Sequence, residues 1–99
     1  MGAVVIADEV QSGFGRTGDN WWGFVDADLQ PDIVTMGKPM GNGYPIAGVV
    51  AGDDLVATFA AKGRYFNTFG GNPVAVATGM AVLDEWEERQ LPAKAGELG

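Results

Sequence analysis

The sequence predicts an α/β fold, and three observations predict it. Ala3-Val4-Val5-Ile6-Ala7 and Asp32-Ile33-Val34-Thr35-Met36 are short apolar runs rich in β-branched residues, the pattern of buried strands. The stretch between them, residues 9–31, is long enough for the crossover that two parallel strands require. Asn72-Pro73 then opens a long stretch of helical character, an N-cap followed by proline at the first helical position.

Taken in order, residues 3–7 read as a central strand buried on both faces, ended abruptly by Asp8-Glu9. Residues 12–18 form a loop, and residues 19–30 an irregular connection in which Trp21, Trp22 and Phe24 are packing anchors. Pro31 starts the second strand, residues 32–36, and residues 44–51 allow a third. Asp53 is expected to cap a short helix that carries Leu55, Val56 and Phe59 at helical spacing. Residues 62–71 return to loop. The helix opened by Pro73 is expected to run to about Gln90, with Val76, Met80 and Leu83 on one face and Val82 above Trp86. Its acidic end (Asp84, Glu85, Glu87, Glu88) opposes the helix dipole and is offset only by Arg89, so these charges are read as a solvated face. Leu91-Pro92 ends the element, and the tail begins another helix.

Composition narrows the chemistry. The 99 residues, 46% hydrophobic and 19% charged, suit one small globular domain rather than a disordered chain. The net charge of −7 argues against nucleic acid or an anionic membrane surface as partner. There is no Cys and no His, which removes disulfides, thiol nucleophiles, imidazole catalysis and zinc sites built on those residues; no metal site is expected. Any reaction must therefore use Lys, Asp, Glu, Tyr or a cofactor. No apolar run approaches a membrane span, and no leader peptide is visible. A cytoplasmic location is the expectation. A strand this near the first residue suggests that the front of the natural protein lies before Met1.

Gly13-Phe14-Gly15-Arg16-Thr17-Gly18 nominally fits the dinucleotide fingerprint Gly-x-Gly-x-x-Gly. The fingerprint needs its third glycine inside a helix, whereas Asp19-Asn20-Trp21-Trp22-Gly23 follows here. Two acids also stand where a pyrophosphate would sit. Turn formation is the better account of these glycines. Lys38, one of three lysines, follows the second strand and leads into a turn with glycines at 37, 41 and 43. If the first two strands are parallel, Asp8 and Lys38 emerge at the same carboxyl edge of the sheet, where open α/β folds bind ligands. The pair reads either as a structural ion pair or as a ligand site. Thr68-Phe69-Gly70-Gly71-Asn72-Pro73 places a hydroxyl and small residues before a helix N-terminus, which suits a phosphate but is equally an ordinary cap.

Three segments resemble class III pyridoxal-phosphate aminotransferases. Ile6-Ala7-Asp8-Glu9-Val10-Gln11-Ser12-Gly13-Phe14-Gly15-Arg16-Thr17-Gly18 is similar to their aspartate segment. Pro31-Asp32-Ile33-Val34-Thr35-Met36-Gly37-Lys38 is similar to their lysine segment, and Asn67-Thr68-Phe69-Gly70-Gly71-Asn72-Pro73 to the loop that follows. Pro39 departs from the commoner glycine, and residues 36–45 look most like the alanine–glyoxylate aminotransferase 2-like branch, which also contains phospho-lyases. The resemblance implies part of a fold-type I large domain, with a mixed, mostly parallel sheet and helices. Residues 1–99 would be a fragment of that domain, without its N-terminal part and the C-terminal small domain. It further implies a homodimer when full length, with pyridoxal 5′-phosphate at its interface. Lys38 would form the Schiff base and Asp8 pair with the pyridine nitrogen. Val10 would pack on the ring, Gln11 lie near the phenolic oxygen, and Thr68 reach the phosphate of the other subunit. Small amine or amino-acid donors and keto-acid acceptors are the implied partners. The implied reaction is transamination, with elimination of phosphate from an amino-alcohol phosphate as alternative. The isolated 99 residues are expected to be inactive. A reading from another class is a non-catalytic binding domain with Lys38 and Asp8 as a structural ion pair.

Overall fold

The computed structural model describes residues 2–99. Strands β1 (Ile6–Asp8), β2 (Ile33–Met36) and β3 (Gly48–Ala51) form one mixed sheet in that spatial order. β1 and β2 are parallel, with Ile6 opposite Ile33 and Asp8 opposite Thr35. β3 is antiparallel to β2, with Ile33 opposite Ala51 and Met36 opposite Gly48. The β-branched character of all three segments suits a pleated ladder.

The first strand differs from expectation in two ways. It begins at Ile6, because the Val5 N–H donates to the Asp32 carboxylate (2.8 Å) instead of to a main-chain carbonyl. It also lies at the edge of the sheet rather than the centre, and Ile6 is 59% exposed, since β2 occupies the middle and no described element covers the outer face.

The return from β2 to β3 is a tight reversal. A short 3₁₀ turn covers Lys38–Met40, with Pro39 buried and the Met40 N–H donating to the Gly37 carbonyl (2.6 Å). At Gly41 a Cβ would fall on the Tyr44 carbonyl oxygen, so only glycine lets the backbone double back there.

Helices α1 (Gly23–Asp26), α2 (Asp53–Lys62), α3 (Pro73–Arg89) and α4 (Leu91–Leu98) complete the described structure. Asp53 does not cap α2. Gly52 holds the N-cap position without a side-chain bond, and Asp53 and Asp54 instead sit in the first turn, where the helix dipole favours them. Asn72 caps α3 as expected, accepting the Ala75 N–H at 3.0 Å, with Pro73 at the first position. Gln90, at φ 50°, ends α3 in the left-handed region and lets α4 start immediately.

The buried residues are few: Phe14, Ala75 and Trp86 among the apolar ones. Trp86 stacks on Trp21 with ring centroids 3.8 Å apart, and Phe14 meets Trp22 edge-on at 5.3 Å. The packed face of α3 is therefore the Ala75–Trp86 side. Val76 and Met80 face outward, about half exposed, because the large indole takes its partner from the glycine loop rather than from the sheet. The chain forms a slab of 45 × 38 × 16 Å with a radius of gyration of 15.2 Å. A compact 100-residue domain has a radius of about 13 Å. Broad apolar faces, including Val49, Val50, Phe59 and Phe66, thus stay uncovered within these residues.

The glycine loop is a packing surface. A Cβ at Gly15 would fall on the Trp86 indole, and one at Gly18 would lie 2.7 Å from the Gly96 Cα of α4. Both glycines have positive φ, +69° and +98°. Gly15→Ala is therefore expected to destabilise the protein on two counts. The left-handed conformation costs roughly 1–2 kcal/mol. Pushing against the indole adds a further ~1–3 kcal/mol. Gly71, at φ +66° with nothing near its absent Cβ, should show only the first cost when changed to Ala. Urea midpoints for the two variants check this; equal losses would mean that the Trp86 contact contributes nothing.

Candidate active site at the carboxyl edge of β1 and β2

Parallel pairing brings the ends of β1 and β2 to one edge of the sheet. Asp8 is the last residue of β1 and Lys38 follows β2 by two residues, so the acid and the amine belong to the same edge. Asp8 is oriented by two donors on one oxygen: its Oδ1 accepts the Thr35 hydroxyl (3.1 Å) and the Val10 N–H (3.2 Å). No described protein donor takes Oδ2. Thr35 holds this place because the register sets it directly opposite Asp8.

The expected alternative of a Lys38–Asp8 ion pair is not formed. The ion pair among the described residues joins Arg89 to Glu85, one turn apart on α3. Thr35 and Val10 satisfy Asp8 instead, and Lys38 is exposed, between buried Gly37 and buried Pro39.

Val10 and Gln11 lie in the turn directly after Asp8, closed by the Gly13 N–H donating to the Glu9 carbonyl at 3.0 Å. Val10 is half-buried and reaches across to β2's end, its Cγ1 lying 3.4 Å from where a Gly37 Cβ would stand. Gln11 is exposed. These contacts join the Asp8–Gln11 segment to the Thr35–Lys38 segment. Thr68 is not part of that junction. It occupies the loop before α3, where the Asn67 side-chain oxygen accepts the Phe69 and Gly70 N–H groups (3.1 and 3.0 Å) and turns the chain, leaving Thr68 exposed.

Two residues that the sequence reading did not single out are central here. Thr35 orients Asp8; a hydroxyl inside an otherwise aliphatic strand, paired with an acid on the neighbouring strand, is the signal that could have found it. Glu9, read only as the end of a strand, is 2% exposed and accepts three hydrogen bonds. Nothing in the local pattern distinguishes it from a solvated acid, because its donors come from residues 12, 23 and 24.

The aminotransferase class-III family model matches residues 1–99. The mitochondrial alanine–glyoxylate aminotransferase 2 of Homo sapiens is 50% identical over 98 residues, covering 99% of this chain and 19% of that protein. Among solved structures, a phospholyase from Arthrobacter in complex with phosphoethanolamine superposes with a TM-score of 0.92 at 53% identity, over 97% of this chain and 23% of the other. An S-selective transaminase from Arthrobacter sp. with alanine bound gives a TM-score of 0.80 at 40% identity, over 99% and 21%. The fold is thus the α/β architecture shared with transaminases. The chain belongs to the class-III aminotransferase family. It spans about a fifth of the length of its relatives. No described helix is long and apolar enough to cross a membrane.

Proposed function

We propose that this chain is part of the cofactor-binding large domain of a pyridoxal-phosphate-dependent aminotransferase, which moves an amino group from an amine or amino acid to a keto acid. The single observation that carries this reading is the shared edge: an oriented carboxylate with one free oxygen, and an unpaired lysine on the adjacent parallel strand's exit. The residue types suit the cofactor. Asp8 Oδ2, with no protein donor, is available to accept a pyridinium N–H, and Lys38 has no acidic partner to compete for its amine.

When bound, pyridoxal phosphate supplies an electron-withdrawing ring that stabilises negative charge at the donor's α-carbon. Asp8 would hold the proton on the pyridine nitrogen and so maintain that withdrawal. Lys38 Nζ would be the amine that holds the cofactor, and the same amine is placed to move a proton at the donor's α-carbon. Val10 would pack against the ring, Gln11 would lie near the phenolic oxygen, and Thr68 would reach the phosphate held by a second copy of the chain. The relatives are about five times as long as this chain, so the rest of the pocket would come from parts of their length that it does not span, and the 99 residues alone are expected to be inactive.

The experiment is borohydride reduction with pyridoxal phosphate, in the protein completed at both ends to the span of its relatives. A stable adduct mapping to Lys38 is expected. A folded protein without an adduct would favour a non-catalytic binding domain. A second reading, phospho-lyase activity on an amino-alcohol phosphate, is favoured by the 53% identity to the phospholyase. Keto-acid-dependent amine transfer measured beside phosphate release separates the two reactions.

A further inference from the structure

We propose that Glu9 is a positioning residue: its buried carboxylate locks the turn carrying Asp8, Val10 and Gln11 against the start of α1. The inference rests on the reading of Asp8 and Gln11 as cofactor contacts. Among the described residues Glu9 is the buried charged side chain, and no cation pairs with it. A buried charge without a counter-ion is costly and persists only where hydrogen bonds replace its hydration. Here the set is complete. Oε2 accepts the Ser12 hydroxyl (2.7 Å) and the Gly23 N–H (3.0 Å), and Oε1 accepts the Phe24 N–H (2.8 Å).

Each bond fixes a different part of the turn. Ser12 closes residues 9–12 upon themselves, alongside the Gly13-to-Glu9 main-chain bond. Gly23 and Phe24 tie that closed turn to α1, fourteen and fifteen residues away. The Glu9 N–H donates to the Thr35 carbonyl at 2.9 Å, while the Thr35 hydroxyl donates to Asp8. Asp8 is therefore held between a strand partner on one side and a rigid turn on the other. Glu9 supplies the rigidity.

A carboxylate is required because all three partners are donors and only an ionised acid accepts at both oxygens. In Glu9→Gln, the amide NH₂ faces the Gly23 N–H or the Phe24 N–H whichever way it turns, and the two donors repel. The turn must then shift, carrying Asp8 and Gln11 with it.

The test uses the protein completed at both ends, at a temperature well below each variant's unfolding midpoint. Two quantities are read: pyridoxal-phosphate affinity by titration, and the pH midpoint of the bound cofactor's visible absorption band. For Glu9→Gln the Kd is expected to rise about 10–100-fold, by analogy with the loss seen when groups that orient metal ligands are removed. The band's pH midpoint is expected to move with it. Trp86→Phe, which weakens the aromatic core instead, should lower the melting temperature and leave both quantities at the parent values. Parent-like affinity and midpoint in Glu9→Gln overturn the proposal, whatever its melting temperature. Should Glu9→Gln not fold, Ser12→Ala decides: a weaker shift of both quantities supports the role, and parent-like values overturn it. A parent protein that binds no pyridoxal phosphate overturns the cofactor reading itself, and this inference with it.

Discussion

In the protein completed at both ends, Lys38→Ala is expected to abolish amine transfer and the borohydride-stable adduct together, while leaving the fold intact. The structural half of this expectation follows from where the residue sits. Lys38 is exposed, and its backbone is fixed by buried neighbours, Gly37 and Pro39, in a 3₁₀ turn closed by the Met40-to-Gly37 bond. No hydrogen bond or ion pair of the described structure uses its amine, so its removal should change stability by within about 0.5 kcal/mol, as for other exposed positions. The chemical half is larger. The amine is proposed both to attach the cofactor and to move the substrate proton, and loss of a positioned acid–base group alone costs on the order of 10²–10⁴-fold. Lys62 and Lys94 lie on α2 and α4, not at the carboxyl ends of β1 and β2. Lys38→Arg should fail equally, since it keeps the charge without a nucleophilic amine. Steady-state rates and adduct mapping decide it; a variant that retained most of its activity would assign the covalent role elsewhere.

The parts of this structure that were legible in the sequence are those governed by local chemistry. The Asn72-Pro73 start of α3 was readable because an N-cap and a proline act within one turn. The strands near residues 6–8 and 33–36 were readable from β-branched runs, while the length of the connection only allowed the parallel pairing that the structure has. What could not be read was which faces are covered. β1 has the composition of a central strand, yet its neighbour in space lies on one side only. Val76 and Met80 have helical spacing, yet the burial of α3 follows Trp86, whose stacking partner Trp21 is sixty-five residues away in sequence.

The candidate site divides along the same line. Asp8 and Lys38 announce themselves as charges at the ends of apolar strands. Thr35 shows only as a hydroxyl in an aliphatic strand and Glu9 carries no local signal, since their roles in holding Asp8 and its turn exist only after the register and the 9–24 connection have formed. The glycine loop illustrates the reverse case. Its Gly-x-Gly-x-x-Gly spacing suggests phosphate binding, but the described contacts are with the Trp86 indole and the backbone of α4. Spacing alone does not separate a glycine that admits a ligand from one that admits a side chain.

Asp8→Asn is expected to be the second most damaging change, and it separates charge from placement. The asparagine side chain can keep its carbonyl oxygen where Oδ1 accepts Thr35 and Val10, so the edge of β1 stays ordered. What it loses is the negative charge that is proposed to keep the pyridine nitrogen protonated. Charge stabilisation by one preorganised group is worth about 10²–10³-fold in rate, and a loss of that order is expected in the amine-transfer step. Thr35→Val makes the complementary change, leaving the charge but removing the hydroxyl that aims it; the shape is similar and the strand remains β-branched. Its cost should be the smaller one, because the Val10 N–H still holds Oδ1. The ordering is the informative result, read in the protein completed at both ends as rates at saturating pyridoxal phosphate with folding checked by circular dichroism. If Thr35→Val matched or exceeded Asp8→Asn, orientation rather than charge would govern this edge, and Asp8 would be a structural acid.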